Sequence, residues 1–281
     1  MIKQKEIVEV ANRKQVPKMT VDKDWVLGHF LNAMYSFTDV RDNFVFKGGT
    51  CLHKCFIKDY RFSEDLDFTL LDATFDVNKP FINKLMKKAS DDSGIKFHLA
   101  DLHFQQSGNI PQGYKAVIKF WGADHSPNQR PLPASRWQTS IIIDISFSEK
   151  LLLPAIEKEI SHPYSDAELV KNRAVCYDLT EILSEKIRAL KQRNRPRDVY
   201  DAWYLTRSTN AAFPGLRELL LKKSELKGLR ILGVQDFVNE EKALRNKIAW
   251  DQNLSNQIAT SDLPDFDEVY HELTTFLKTL L

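Results

Sequence analysis

Two short motifs separated by a loop constrain this chain more than any other feature. The first is Lys47-Gly48-Gly49-Thr50, and the second is Arg61-Phe62-Ser63-Glu64-Asp65-Leu66-Asp67-Phe68. Successive side chains of a strand point to opposite faces, so Asp65 and Asp67 should share one face while Leu66 enters a core. Two carboxylates on one face are typical of a site for a hard divalent cation.

The glycines of the first motif stand between an apolar run typical of a strand, residues 43–47, and a run typical of a helix, residues 50–56. Backbone N–H groups at the start of a helix have no partners within it, so this junction can hold a phosphate. A phosphate-binding turn close to a divalent-cation site indicates phosphoryl or nucleotidyl transfer.

Three polar residues around these motifs have two interpretations each. Thr50 could donate its hydroxyl to a phosphate or cap the helix that it begins. Ser63 should face the same side as Asp65, where it could contact a triphosphate or form a local hydrogen bond. Arg61 could reach phosphate or pair with the acids. We predict that the nucleotide-binding residues are Gly48, Gly49, Thr50, Arg61 and Ser63.

A third acid, Asp144, interrupts the apolar run of residues 140–147. Such a run is typical of a central strand that is buried on both faces. A carboxylate there needs compensation, and we predict that Asp144 joins Asp65 and Asp67 as a metal ligand. Three such acids could hold two ions about 3.5–4 Å apart. The alternative is that Asp144 caps the strand end or pairs with Arg61.

The pattern along the chain predicts an α+β fold with a mixed sheet and flanking helices. Strands are predicted at residues 43–47, 66–71, 95–105, 114–121 and 139–147, with one clear helix near residues 80–89. From residue 150 onward the pattern is helical, so we place one domain at 1–150 and a helical domain at 151–281. A chain of 281 residues is long enough for both.

The bulk properties predict a cytoplasmic protein. The formal net charge is only +2, so any contact with nucleic acid depends on a local basic surface. No apolar run is long enough to span a membrane. The chain has three cysteines, an odd number, which fits a reducing compartment. On a helix His53 points away from Cys51 and Cys55, so a zinc site at these residues is not expected.

A second group of polar residues lies on predicted helices. Lys186 falls among apolar residues on the inner face of a helix at residues 179–192, so it needs an anionic partner. That partner could be a carboxylate or the phosphates of a nucleotide. Asp198 and Asp201 begin the next helix, where the helix dipole alone favours acids, although Asp201 lies deeper.

Six cations occur within twelve residues with no acid between them: Lys186, Arg188, Lys191, Arg193, Arg195 and Arg197. Such a cluster in a nearly neutral protein is typical of a contact with a phosphate backbone, although a solvated charged face gives the same pattern. A nucleotidyl-transfer site needs an acceptor, so we predict that Arg188, Lys191, Arg193, Arg195 and Arg197 bind RNA.

In their order along the chain, these features resemble the AbiEii-type nucleotidyltransferase toxins, a group that includes the toxin half of AbiE phage abortive-infection systems and MenT-like toxins. The matching residues are Gly48-Gly49-Thr50, Arg61-x-Ser63-x-Asp65-x-Asp67, Asp144, Lys186 and Arg197-Asp198-x-Tyr200-Asp201. The resemblance covers roughly residues 44–205 and implies a polymerase β-like nucleotidyltransferase domain followed by a helical domain.

The resemblance also implies an activity and its components. The substrate would be an NTP, used with Mg²⁺ or Mn²⁺, and nucleotides would be added to the 3′ end of tRNA, which blocks translation and serves phage defence. A cognate antitoxin encoded nearby would be the partner. By the same analogy Asp65 and Asp67 are metal ligands and Lys186 contacts the nucleotide phosphates. Asp198 or Asp201 is an essential acid that acts as a base or positions the lysine.

Two other functions remain open from the residues. The same site could transfer NMP or a phosphoryl group to a protein hydroxyl, or the chain could be a non-catalytic nucleic-acid-binding module on this fold. The presence of both Asp65 and Asp67 argues against a decayed site, and the basic cluster favours RNA over a protein acceptor.

Overall fold

A computed structural model describes residues 2–125, 129–208 and 213–281. The chain divides into two compact units, Met1–Tyr177 and Asp178–Leu281. The sequence predicts a domain boundary near residue 150 with helices directly after it. The structure differs because two short strands follow residue 150 and complete the sheet of the first unit.

The first unit contains helices and a sheet. Its helices are α1 (Gln4–Lys14), α2 (Lys18–Met34), α3 (Thr38–Asn43), α4 (Gly48–Cys51) and α5 (Lys79–Ser93), and α4 leads directly into a π-helix at Leu52–Phe56. Its strands are β1 (Phe44–Lys47), β2 (Asp65–Leu70), β3 (Lys96–Ser107), β4 (Ile110–Trp121), β5 (Ser140–Ser146), β6 (Ile156–Glu159) and β7 (Arg173–Cys176). Two short 3₁₀ turns lie at Ala134–Arg136 and Ala167–Leu169.

The strands form one mixed seven-stranded sheet in the order β3-β4-β5-β2-β1-β7-β6. Strand β2 runs parallel to β5 and antiparallel to β1, and β1 runs parallel to β7. The predicted α+β fold and all five predicted strands are confirmed. Strands β6 and β7 were missed because each has only four residues, too few to show a clear alternation.

Helix α2 and aromatic residues of β1 and β2 supply much of the core. Trp25 and Phe30 of α2 are fully buried, as are Phe44, Phe46 and Phe68 of the strands. Burying a large apolar side chain stabilises the fold by about 1.5–3 kcal/mol relative to leaving it exposed. The strand that begins with Asp65 is therefore anchored by Leu66 and Phe68, and its acids stay on the other face.

Strand β5 corrects one prediction. We expected it to be buried on both faces, but its burial alternates: Ile141, Ile143 and Ile145 are buried, whereas Ile142 and Asp144 are only half-buried. One face of the strand packs into the core, and the other face is the one that carries Asp144. The alternation is not apparent in the sequence, because an apolar residue, Ile142, occupies one of the half-buried positions.

The second unit is helical. Its helices are α6 (Leu179–Gln192), α7 (Pro196–Ser208), α8 (Leu216–Glu225), α9 (Glu240–Leu254) and α10 (Phe266–Leu280), with a 3₁₀ turn at Val234–Asp236. Asp178 caps α6 by accepting a hydrogen bond from the Thr180 N–H at 2.8 Å, and Pro196 opens α7, the position at which a helix tolerates proline. In the described part of the chain, each helix is too short or too polar to cross a membrane.

Candidate active site

The turn between β1 and α4 requires glycine at its first position. Gly48 has a φ of +81°, a region that side chains strongly disfavour. A Cβ atom on Gly48 would also lie 2.3 Å from the Oδ2 atom of Asp67. The backbone of the turn therefore lies directly against a carboxylate of the second motif, which the sequence could suggest only through the order of the motifs.

The second glycine lies beneath two of the predicted nucleotide-binding residues. A Cβ atom on Gly49 would lie 2.8 Å from a terminal guanidinium nitrogen of Arg61 and 3.0 Å from the Ser63 hydroxyl oxygen. Arg61 is 4% exposed and donates a hydrogen bond to the carbonyl of Phe62 at 3.0 Å. The structure thus brings together Gly49, Arg61 and Ser63.

Thr50 has a role that neither interpretation of the sequence foresaw. Its side chain is fully buried, and its hydroxyl donates to the backbone carbonyl of Asp65 at 2.5 Å. The hydroxyl does not cap α4. It instead fixes the start of β2 against α4, so a contact between Thr50 and phosphate would be made by its backbone N–H.

The predicted metal ligands share one face of the sheet. Asp65 and Asp67 are half-buried on β2, while Leu66 and Phe68 between and after them are fully buried. In the parallel pairing of β2 with β5, Asp67 lies opposite Asp144. Paired residues on neighbouring strands point to the same face, so the three acids project from the face opposite the core.

Two lysines lie beside these acids on the neighbouring strands. Lys47 on β1 pairs in register with Asp67, and Lys115 on β4 pairs in register with Asp144. A row of Lys115, Asp144, Asp67 and Lys47 therefore crosses four strands on one face. Sequence reasoning missed Lys115, because only the register of β4 against β5 places it beside the acids. The sequence carries no signal of its own for that pairing.

The acids fit the divalent cation that nucleotidyl transfer requires. Carboxylate oxygens are hard ligands, and Mg²⁺ is usually held by one or two carboxylates together with substrate phosphates. Asp67 and Asp144, placed opposite each other with the glycine turn against Asp67, supply such a set, and Asp65 lies on the same face.

In the helical unit, Lys186 has carboxylate partners. Its Nζ atom lies 2.7 Å from Oδ2 of Asp201 and 3.6 Å from Oδ1 of Asp198, and all three residues are buried. Arg193 binds Asp198 from the other side with two hydrogen bonds, from Nε at 2.8 Å and from a terminal nitrogen at 2.9 Å. Of the two partners that the sequence left open for Lys186, the carboxylates are the ones in contact.

The charge state of Asp198 follows from these contacts. Burial raises the pKa of its carboxyl group, but the nearby Lys186 and Arg193 outweigh burial and hold the pKa below its usual value. A carboxylate that is so well stabilised is a weak base. The arrangement therefore favours the positioning role for Asp198 over the role of a general base.

The basic cluster is smaller than the sequence indicated. Arg188 is 6% exposed and its guanidinium faces the carbonyl of Lys223, so its side chain is not on the surface where RNA could bind. Lys191 pairs with Asp236 at 3.0 Å, and Arg193 is held by Asp198. The remaining members are the exposed Arg195 and the half-exposed Arg197, which form no ion pair with any residue that the structure describes.

A family model described as "Nucleotidyl transferase AbiEii toxin, Type IV TA system" matches residues 29–272. The chain belongs to this family. AbiEii proteins are nucleotidyltransferase toxins of type IV toxin–antitoxin systems, so membership implies an NTP substrate and an antitoxin partner. No curated protein matches the sequence significantly.

Solved structures show the same fold. The nucleotidyltransferase toxin MenT4 from Mycobacterium tuberculosis H37Rv is 17% identical with a TM-score of 0.59, and the match covers 100% of this chain and 99% of that one. A candidate nucleotidyltransferase from H. pylori is 16% identical with a TM-score of 0.56, covering 94% of this chain and 96% of that one. At such low sequence identity these two structures establish the fold of this AbiEii protein. They do not identify its substrates.

The contact between Gly48 and Asp67 leads to a prediction for Gly48→Ala. A methyl group there would push the Asp67 carboxylate from its place, so we expect transfer activity to fall by at least about tenfold. The positive φ should in addition lower the free energy of unfolding by about 1–2 kcal/mol. Gly108→Ala is a matched control, because Gly108 has a φ of +58° and open space around the position of a Cβ atom. Equal activity of the two variants would contradict the prediction.

Proposed function

We propose that this AbiEii protein is a Mg²⁺-dependent toxin that transfers NMP from an NTP to the 3′ acceptor end of tRNA in the cytoplasm and thereby blocks translation. Mn²⁺ should substitute for Mg²⁺. The observation that carries the proposal is the position of Asp67, which lies opposite Asp144 on a parallel strand and against the backbone of Gly48. A phosphate-binding turn and a carboxylate set are both needed to hold a metal-bound triphosphate.

The chain's own groups account for binding and charge stabilisation in this reaction. Arg61 and Ser63, placed over Gly49, are proposed to contact the oxygens of the triphosphate, where fixed donors stabilise developing negative charge. Asp65, Asp67 and Asp144 would hold the metal ion. When bound, Mg²⁺ supplies charge neutralisation at the phosphates and favours ionisation of the attacking 3′-hydroxyl.

The family resemblance assigns a nucleotide contact to Lys186 and an essential role to Asp198 or Asp201. Asp201 and Asp198 hold the ammonium group of Lys186 in one orientation within the helical unit. We infer that both acids are positioning residues and that Lys186 is presented to a phosphate in a fixed geometry. A lysine that is oriented before substrate binds loses less side-chain entropy when it makes the contact.

The test of the proposal uses purified protein, total tRNA and each of the four NTPs labelled at the α-phosphate. We expect label to enter tRNA with one or more NTPs in the presence of Mg²⁺ or Mn²⁺, and none with a chelator. Oxidation of the tRNA 3′-terminal diol with periodate should abolish labelling. Label on protein instead of RNA would favour the protein-hydroxyl alternative, and RNA binding without any transfer would favour the non-catalytic module.

The prediction about the acceptor concerns the exposed Arg195, just before α7, and the half-exposed Arg197 in its first turn. We expect Arg195→Glu with Arg197→Glu to weaken tRNA binding and to lower the slope of log affinity against log salt by roughly one for each lost phosphate contact. NTP binding should change little. Reversal of Arg217 and Lys222, two exposed cations of α8, is the matched control. An unchanged affinity for tRNA at low salt would show that Arg195 and Arg197 belong to a solvated surface and do not bind RNA.

A further inference from the structure

All three cysteines of the chain meet at one place in the first unit. Cys51 ends α4, Cys55 lies in the π-helix that follows, and Cys176 ends β7. Their sulfur atoms all lie within 4.8 Å of one another. The sequence around Cys51, His53 and Cys55 predicts no zinc site, and nothing local indicates that Cys176, far along the chain, joins the two cysteines.

Strand β1 brings these cysteines together. Cys176 pairs in register with Phe46 of β1, and the Cys51 thiol lies 3.5 Å from the carbonyl oxygen of the same Phe46. The π-helix turns Cys55 toward both, and its widened geometry is closed by the hydrogen bond from the Ile57 N–H to the Leu52 carbonyl at 2.9 Å. The cluster is thus built into the strand and helix that flank the glycine turn.

The cluster can be reached from one side. Cys51 and Cys176 are fully buried, while Cys55 is half-buried and offers a route of entry.

A second cluster of potential metal ligands differs from the cysteine cluster, because its members form hydrogen bonds with one another. His29, His162 and Asp166 also lie within 4.8 Å of one another. There the Asp166 carboxylate accepts hydrogen bonds from both imidazoles at 3.1 Å and from the indole of Trp25. These groups stabilise each other directly. Thiols are weak hydrogen-bond donors and acceptors, so the three cysteines gain little from facing one another.

We propose that Cys51, Cys55 and Cys176 bind a single thiophilic d¹⁰ metal ion, of the kind represented by Cu(I) and Zn²⁺. Thiolate sulfur is the ligand type that selects these ions. His53, two residues before Cys55 in the sequence, is turned toward Asp24, with Nε2 2.9 Å from a carboxylate oxygen. Three sulfurs complete a trigonal Cu(I) site, whereas Zn²⁺ would take its fourth ligand from water.

The ion would link three segments that the fold already brings together. It would tie the end of β7 to α4 and the π-helix, immediately after the glycine turn at Gly48 and Gly49. Binding releases the thiol protons, forms three metal–sulfur bonds and leaves the oxidation state of the ion unchanged. Because the unfolded chain cannot preform the site, the ion should stabilise the folded protein.

The test titrates the reduced 281-residue protein with Cu(I) and, separately, with Zn²⁺, each against a competing chromophoric chelator. We expect one ion per chain for at least one of the two metals, with a rise in melting temperature at saturation. Cys55→Ser should lose both the uptake and the rise, because serine is a poor ligand for soft ions. His98→Gln, which removes an exposed imidazole on β3, is the control for adventitious binding and should change neither.

A second measurement uses the unaltered protein. Saturation with the ion should slow alkylation of Cys55, the most accessible of the three thiols, as counted by mass spectrometry. The proposal is overturned if neither ion binds at one per chain, if Cys55→Ser binds as well as the parent, or if alkylation is unaffected by the ion. These readouts do not depend on nucleotidyl transfer, so they are independent of the proposed activity.

Discussion

Replacing Asp67 with asparagine is expected to abolish nucleotidyl transfer while leaving the fold intact. Asp67 occupies the centre of the candidate site, opposite Asp144 and against Gly48. The amide keeps the shape of the side chain but removes a negative charge that would hold the metal ion. Metal stabilisation of the transition state is worth several kcal/mol, which corresponds to roughly a thousandfold or more in rate. Toxicity in cells should disappear together with transfer.

The matched control for Asp67→Asn is Asp101→Asn. Asp101 is also a strand residue, but it is exposed on β3 and pairs with His103. Transfer by the control should equal that of the parent. Circular dichroism and thermal melts should show that both variants fold. Full activity of Asp67→Asn with Mg²⁺ would remove Asp67 from the metal site.

The sequence was sufficient to predict the part of the site that lies on a single strand. Asp65, Leu66 and Asp67 alternate in a short run, and this alternation alone places the two acids on one face. The glycine motif likewise predicts the junction between strand β1 and the helix that follows it. Both predictions depend on neighbours in the sequence, and local patterns determine local geometry.

Features that depend on strand register could not be predicted in this way. The pairing of Asp67 with Asp144, and of Asp144 with Lys115, follows from the order of β2, β5 and β4 in the sheet. No pattern within any one strand determines that order. Cys176 illustrates the same limit, because it meets Cys51 and Cys55 only through the pairing of β7 with β1.

Charge clusters on helices were misread for a different reason. Arg188 appeared to belong to a basic surface, but it lies two residues after Lys186 on a helix whose inner face is wide. Arg188 is buried because its guanidinium group faces the backbone carbonyl of Lys223 on α8. Long cationic side chains can be buried when a partner element supplies acceptors, and the sequence does not show which element that is.

The largest stability effect is expected for Lys186→Met. Lys186 lies between the buried carboxylates of Asp201 and Asp198, so its removal takes away the ammonium group 2.7 Å from Oδ2 of Asp201. Breaking a buried ion pair by removing one partner costs about 3–5 kcal/mol. We expect a loss of that size in the free energy of unfolding, measured by denaturant titration without nucleotide. Lys222→Met, at an exposed lysine of α8, should change the free energy of unfolding little.

The pH dependence of this loss tests its cause. The pKa of Asp198 is lowered in the folded state, so the stability that this group contributes is present above its unfolded pKa of about 3.9 and is lost as the pH falls through the lower folded value. Lys186 provides part of this lowering. The difference in stability between parent and Lys186→Met should therefore narrow as the pH falls below about 4, because a protonated Asp198 carboxyl group is no longer stabilised by the charge of Lys186.

A double variant separates a structural role of Lys186 from a role in binding nucleotide. Asp201→Asn in the Lys186→Met background removes the carboxylate charge that Lys186 balanced and should restore part of the lost stability. It should not restore transfer or the stabilisation by Mg²⁺ and NTP if Lys186 contacts the nucleotide phosphates. Recovery of both stability and transfer would make Lys186 purely architectural. If Lys186→Met alone kept the free energy of unfolding of the parent, the buried carboxylates would not be stabilised by Lys186. That result would also contradict the positioning role inferred for Asp198 and Asp201.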